Sequence, residues 1–295
     1  MVIIMKNQKI VFTAPGRAEL RDCEVRLPSD NEVLVRTEYT VVSAGTERAN
    51  LINLPNVPQT YPIILGYCGI GYVEKVGGEV SGFKPSDRVL VYHGIHAAYN
   101  TISANQLTKV EDDRIDSREA AFVILASMSL GGVRKLEVEL GESAMVFGLG
   151  ILGVFAAQLL ALSGANPVIA VDYDANRRNK ALEMGADYAL PPDVELVEQV
   201  KRLTEGRGVN ATIEVTGSSE ALVQALDCAA WMGRIALLGC TRVSDCSVDY
   251  YNQVHRPGVK LIGAHNFVRP KVESYPHHWT HQDDCRALLS LLGAG

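Results

Sequence analysis

The most constraining stretch of this chain is Gly148-Leu149-Gly150-Ile151-Leu152-Gly153, which follows the apolar run Ala144 to Phe147. A GxGxxG string alone arises often by chance, so its surroundings carry the weight. Downstream of it, Val154, Ala157, Leu160 and Ala161 recur at three- and four-residue spacing, the period of a helix face. A second apolar run, Pro167 to Val171, then ends in Asp172, about twenty residues past the motif, as the dinucleotide fingerprint requires. Glycines there let the backbone turn tightly and approach a pyrophosphate, and the unpaired N–H groups of the first helical turn hold that anion. The acid accepts hydrogen bonds from the adenosine ribose hydroxyls. This order of strand, turn, helix and strand predicts a bound dinucleotide.

A length of 295 residues leaves room for two domains with separate cores. Hydrophobic residues at 47% and charged residues at 21% are ordinary for a soluble globular protein, and the dinucleotide reading leaves a small-molecule substrate as the expected partner. A net charge of −6 supplies no basic stripe, which argues against nucleic acid or an anionic membrane. The opening Met1–Met5 is apolar but too short for the central region of a leader, and no apolar run approaches a bilayer span. The cysteines, at 23, 68, 228, 240, 246 and 285, contain no CxxC pair. They read as reduced thiols of a cytoplasmic protein.

Residues 1 to about 110 predict an all-β unit: short runs at 9–13, 32–42, 69–76 and 88–92 are separated by turn signals such as Pro15-Gly16 and Lys84-Pro85-Ser86-Asp87. Regular short strands suggest a small barrel or sandwich. A helix is expected over 119–134, opened weakly by Ser117, which places a domain boundary near 115–135. Beyond it strands and helices alternate, with strands expected at 144–147, 167–172, 188–190, 211–216, 234–239 and 259–265. Helices are expected at 151–163, 175–184, 194–204, 218–230 and 282–292. Alternation of this kind predicts a doubly wound parallel sheet whose ligand lies at the carboxyl ends of the strands. Gly148, Asp172, Thr216 and Gly239 all fall at strand ends.

Several stretches, in order, resemble the signature regions of the medium-chain dehydrogenase/reductase family, the zinc alcohol and polyol dehydrogenases. They are Val41-Val42-Ser43-Ala44-Gly45-Thr46-Glu47, Pro62–Gly66, Gly71–Gly77, Gly82–Val89, Gly148–Gly153, Val171-Asp172, and Trp231–Arg234 leading into Leu238-Gly239. The resemblance implies an α/β protein: a GroES-like β-barrel over 1–130, a Rossmann domain over 131–295, and a cleft between them. It also implies that Ile151 and Leu152 pack beneath the pyrophosphate, that Thr216 approaches the adenosine side, and that Gly239 with Ala264, His265 and Asn266 lines the nicotinamide. Family dimers extend their sheet through the strand at 259–265, so a homodimer is implied as well.

Two departures stand out. The family holds catalytic zinc with ligands at positions where this chain has Ala44, Tyr67, Cys68 and Ile124. Alanine and isoleucine cannot ligate a metal, so no zinc is expected, and the four-cysteine lobe for a second zinc is absent. A site rebuilt from Cys68, His93 and His96 is the rival reading. Family chains also normally continue past the helix at 282–292 and return to the catalytic domain, a return expected to be missing here, whether as a natural short form or a truncated product.

Without a metal, the polar groups that the resemblance carries to the reaction are Thr46, at the proton-relay position, and Tyr67, at a ligand position. Tyr67 can donate to a developing oxyanion or act as general acid; its alternative role is to fill the vacated metal site. His93 and His96 follow the strand ending at Tyr92, and either one is a further candidate. Asp172 favours NAD over NADP, because a carboxylate repels a 2′-phosphate, whereas Arg177 or Arg178 would accept one. The histidine-rich run Tyr275–His281 and the segment His255-Arg256-Pro257 offer polar contacts or are plain surface loops. Three functions follow: an NAD-dependent alcohol or polyol oxidoreductase without zinc, an NADPH-dependent quinone or enoyl reductase, and a nucleotide-binding protein whose catalysis has decayed.

Overall fold

A computed structural model describes residues 6–58 and 60–294, so the Met1–Met5 run lies outside the described residues. The chain divides into two units, 1–125 with 282–295, and 126–281.

The first unit is built from antiparallel strands. β1 (Lys6–Ala14) pairs with β2 (Arg17–Glu24) in a two-stranded sheet. The larger sheet joins β3 (Glu32–Thr40), β4 (Cys68–Val76), β5 (Arg88–Tyr92), β6 (Tyr99–Ser103) and β7 (Leu107–Lys109) in the order β6-β3-β4-β5-β7. Helix α1 (Ala44–Leu51) sits between β3 and β4 in sequence. Alternating side chains place Val33, Val35, Val73, Val89, Val91 and Ile102 on one face, where they form the core. β2 escaped the sequence reading because Arg17–Glu24 is charged and mostly exposed, so no apolar alternation marks it.

The helix expected over 119–134 is in fact two, α2 (Ser117–Ala120) and α3 (Val123–Leu136). Its cap is Asp116, whose side chain accepts from the Arg118 N–H, and not Ser117. No helix among the described residues is long and apolar enough to cross a membrane.

The second unit holds a six-stranded parallel sheet. In chain order it comprises β8 (Ala144–Phe147), α4 (Ile151–Leu162), β9 (Val168–Val171), α5 (Ala175–Glu183), β10 (Tyr188–Leu190), α6 (Leu196–Leu203), β11 (Val209–Glu214), α7 (Ser219–Cys228), β12 (Ala229–Leu237) and β13 (Lys260–Gly263). Strand order is β10-β9-β8-β11-β12-β13, so the direction of winding reverses beside β8. Every residue of β8 and β9 is buried, as strands covered on both faces require. A single π turn, Tyr250–His255, precedes β13 and was not legible in the sequence.

The domain expectation needs correction at both ends. The boundary falls at 125/126 rather than 130/131, and the last helix, α8 (His281–Ala294), groups with the first unit from Gln282 onward. Cys285 is fully buried and Leu288 and Leu289 nearly so. The Gln282 amide donates to the Asn105 carbonyl, and Arg114 Nη2 donates to the Gly293 carbonyl across 3.2 Å. A return to the first unit is therefore present, carried by an amphipathic helix whose apolar face needs cover.

Candidate functional site

In the second unit, the glycine motif occupies the turn from β8 into α4, at the reversal of strand order. Gly148 has φ +89°, and a Cβ there would stand 2.6 Å from the Thr216 methyl. A Cβ at Gly153 would stand 1.8 Å from the Gly148 carbonyl oxygen, so only glycine lets the helix start this close to the strand. Gly150 caps α4 with nothing within 4 Å of its Cβ position, leaving the helix N-terminus open. Ile151 is half-exposed, and Leu152 accepts a hydrogen bond on its carbonyl from Ser129 Oγ across 2.8 Å. These features fit a dinucleotide pyrophosphate: open backbone amides, a helix N-terminus and no side chain in the way.

Asp172 directly follows β9, its side chain only 10% exposed. Oδ2 accepts from the Leu149 N–H at 2.7 Å and Oδ1 from the Asp174 N–H at 2.8 Å. The carboxylate is thereby aimed across the glycine turn, with lone pairs left for hydroxyl donors. The two arginines separate. Arg178 is committed to the carbonyls of Asp172 and Tyr173, whereas Arg177 lies 3.7 Å from Asp172 Oδ2 and stays more than half exposed.

Thr216 and Gly239 are held by a residue the sequence reading passed over. Glu214, at the end of β11, is 2% exposed. Its Oε1 accepts from the Thr216 N–H at 2.6 Å and from the Thr216 hydroxyl, and its Oε2 from the Gly217 N–H at 3.0 Å. Its backbone carbonyl accepts from the N–H of Gly239 at 2.9 Å. Burial pushes the Glu214 carboxyl above its ordinary range, against the opposing pull of these donors. An acid at the end of an apolar strand, two residues before a Thr-Gly turn, was the available signal. Ala264 is buried, its N–H on the Leu237 carbonyl, and His265 is exposed, with Nδ1 accepting from the Phe267 N–H.

In the first unit, the Thr46 and Tyr67 side chains come together, and the backbone of His93 meets that of Tyr67. The Tyr67 hydroxyl shares hydrogen bonds with the Ser43 and Thr46 hydroxyls. The Tyr67 carbonyl accepts from the His93 N–H across 3.1 Å. Burial pushes the phenol above its ordinary value, with Cys68 and Glu47 adding to the shift and the two hydroxyls opposing it. Burial thus favours the protonated phenol. Thr46 is exposed and gives the group an outlet to solvent. His93 adopts φ +60°, its ring lies 3.8 Å from that of Tyr92, and partial burial pushes its pKa down, toward the neutral form.

His96 stands apart from His93. Its Nδ1 lies 2.8 Å from Thr40 Oγ1 and its Nε2 lies 2.7 Å from Glu47 Oε2, so both ring nitrogens are engaged. Burial, then the charge of Glu47 and the neighbouring Cys285, push the Cys68 thiol far up, disfavouring the thiolate that a metal takes. Among the described residues no three His, Cys, Asp or Glu side chains are placed to hold a metal ion. The rebuilt site from Cys68, His93 and His96 is therefore not assembled. Ile124 is fully buried, and with Ala44 it offers no ligand atom, so the residues at these positions do not fit zinc.

Comparisons with known proteins agree with this architecture. Residues 29–134 match the model of the alcohol dehydrogenase GroES-like domain, and residues 152–280 match that of the zinc-binding dehydrogenase. D-guloside 3-dehydrogenase of Escherichia coli is 26% identical, over 96% of this chain and 88% of that enzyme. Human sorbitol dehydrogenase is 26% identical, over 79% of this chain and 74% of its own length. Among solved structures, benzyl alcohol dehydrogenase from Acinetobacter calcoaceticus has the same fold, with TM-score 0.86, 21% identity and coverage of 99% and 90% of the two chains. A zinc-binding dehydrogenase homologue from Sinorhizobium meliloti, solved with NADP, superposes with TM-score 0.82 at 21% identity, covering 98% and 90%. With a GroES-like unit and a Rossmann unit matched in order, the chain belongs to the alcohol dehydrogenase family of medium-chain dehydrogenases and reductases.

Proposed function

We propose that this protein is an NAD(H)-dependent oxidoreductase that interconverts an alcohol or polyol with its carbonyl without catalytic zinc. The observation that carries the reading is the Tyr67 phenol, buried and bonded to the Ser43 and Thr46 hydroxyls, in a place where zinc relatives carry a ligand. The bound dinucleotide supplies or accepts the hydride. In the reductive direction the carbonyl carbon gains hydride and its oxygen gains charge. The Tyr67 O–H stabilises that charge and gives up its proton, forming the alcohol, and exposed Thr46 returns a proton from water. In the oxidative direction the same groups carry the hydroxyl proton away as the C–H bond breaks.

The preference for NAD rests on Asp172, whose carboxylate faces the ribose position and would repel a 2′-phosphate. The NADPH-dependent reductase reading rests on Arg177, close to Asp172 and exposed. The proposal includes a homodimer formed through β13, whose one strand neighbour among the described residues is β12 and whose Leu261 is 39% exposed. It also includes a cytoplasmic setting, which suits six cysteines with no disulfide among the described residues.

The test is turnover of sorbitol, 2,3-butanediol and benzyl alcohol with NAD+ and NADP+, before and after chelation, with metal analysis of the purified protein. Turnover with NAD+ that survives chelation and collapses in Tyr67→Phe supports the reading. Stoichiometric zinc overturns the metal-free mechanism. A preference for NADPH with turnover of an enone transfers the case to the reductase.

A further inference from the structure

The polar groups around Tyr67 continue inward as one connected set. Thr40, the last residue of β3, meets His96 Nδ1 at 2.8 Å, and His96 Nε2 meets Glu47 Oε2 at 2.7 Å. The other oxygen of that carboxylate, Oε1, accepts from the Ser43 backbone N–H at 2.8 Å. Ser43, through its hydroxyl, reaches the Tyr67 phenol, which also meets Thr46. The His96 and Glu47 side chains are 9% and 5% exposed, so this pair is shielded from water and held in one geometry.

The backbone reinforces the arrangement. The His96 N–H donates to the Leu65 carbonyl at 3.0 Å, two residues before Tyr67, and the His93 N–H donates to Tyr67 itself. A Cβ at Gly66 would stand 2.5 Å from the His96 nitrogen, so the segment carrying Tyr67 lies directly on the His96 backbone. One imidazole therefore joins the end of β3, the first turn of α1 and the segment entering β4. Nε2–H donates to the carboxylate, which can only accept, and Nδ1 shares its hydrogen bond with the Thr40 hydroxyl.

We propose that His96 and Glu47 are positioning residues for the Tyr67 hydroxyl, the imidazole orienting the carboxylate, the carboxylate fixing Ser43, and Ser43 aiming the phenol. The inference rests on the Tyr67 reading above and extends it to a pair that touches no substrate. Its physical content is that a phenol replacing a metal must be aimed as rigidly as the metal would be, because small misplacements of reacting groups are costly. The titratable groups facing Tyr67 are Glu47 from α1 and Cys68 from β4, with His93 against its backbone and Cys285 of α8 behind Cys68.

The test is a double-mutant cycle read in kcat and KM with NAD+ and 2,3-butanediol or sorbitol, whichever the wild type turns over. His96→Ala is expected to lower kcat about a hundred-fold with KM little changed. In the Tyr67→Phe background the same substitution is expected to have no further effect, because it acts through the phenol. Glu47→Gln, which keeps an acceptor for Ser43, recovers most of what Glu47→Ala loses. An equal loss in both backgrounds, or no loss from His96→Ala, overturns the proposal.

If Tyr67→Phe turns over like the wild type, the proton-donor reading fails, and the positioning claim is decided separately. Fluorotyrosine-labelled protein, with Tyr67 assigned among the eleven tyrosines by the Tyr67→Phe variant, reports its ionisation by 19F NMR. Glu47→Gln is expected to lower the Tyr67 midpoint and His96→Ala to raise it. If neither moves it, the pair does not act on the phenol.

Discussion

The Leu149 N–H donates to Asp172 Oδ2 across 2.7 Å, tying the glycine turn of one strand to the acid that ends the next. The two parts of the dinucleotide signature are thus a single hydrogen-bonded unit before any ligand arrives. Asp172→Asn removes the charge while keeping the size and one acceptor. Hydrogen bonds to charged groups contribute about 1.5–3 kcal/mol, so NADH affinity is expected to fall about ten-fold or more. NADPH affinity should fall less, since the repulsion toward a 2′-phosphate disappears. Fluorescence titration with both cofactors checks this, and an unchanged NADH-to-NADPH ratio refutes the role given to the carboxylate.

Two of the three motif glycines differ in what a methyl group would meet. Gly153→Ala drives a methyl into the Gly148 carbonyl, 1.8 Å from the ideal Cβ, and is expected to cost about 3 kcal/mol. Gly150→Ala meets nothing within 4 Å, at φ −68°, and should cost under about 1 kcal/mol as a poorer cap. It should nevertheless weaken NADH binding by crowding the open helix end. Urea unfolding alongside NADH titration separates the two effects.

Glu214 makes stability depend on pH in the direction opposite to that of arginine-paired acids such as Glu32 and Asp112. Burial raises its native pKa, so between the unfolded and native values the folded protein holds more protons than the unfolded chain. Its stabilising contribution is complete below the unfolded value and is lost as pH rises through the native one. Glu32 and Asp112, each lowered to about 2 by an arginine partner, act the other way. The difference between wild type and Glu214→Gln isolates the Glu214 contribution. Unfolding midpoints from pH 4 to 8 should show that difference shrinking in favour of the variant as pH rises, and a flat difference rules the effect out.

Thiol reactivity should follow burial. Cys240 and Cys246 are exposed, whereas Cys68, Cys228 and Cys285 are buried. Iodoacetamide on the native protein is expected to label the first two within the time that leaves Cys68 untouched, since burial also suppresses its thiolate. Peptide mapping by mass spectrometry reads the order, and early labelling of Cys68 would place it at the surface.

Much of the second unit was legible because its signals are local. β8 and β10 fall where apolar runs bounded by turn residues place them, and α4 begins at Ile151 as the motif requires. The sequence places the start of β12 at Arg234, yet the strand runs from Ala229 through Met232 at φ +61°. The charged β2 and the break between α2 and α3 were invisible for a related reason: pairing and packing partners, not local pattern, decide them.

The amino-acid sequence on its own determined the dinucleotide turn, the acid beyond it, the family, and the residue types at the family's zinc-ligand positions, because each is read from residue identity and order along the chain. Tertiary structure alone decided that α8 packs with the first unit, that Arg178 is committed to carbonyls while Arg177 is not, and that Glu214 sits beneath Thr216. It alone also separated His96, locked between Thr40 and Glu47, from His93, three residues earlier and open to solvent. The physical reason is that burial and hydrogen-bond partners belong to positions in space. Two histidines in one loop share a sequence context and can still face opposite environments.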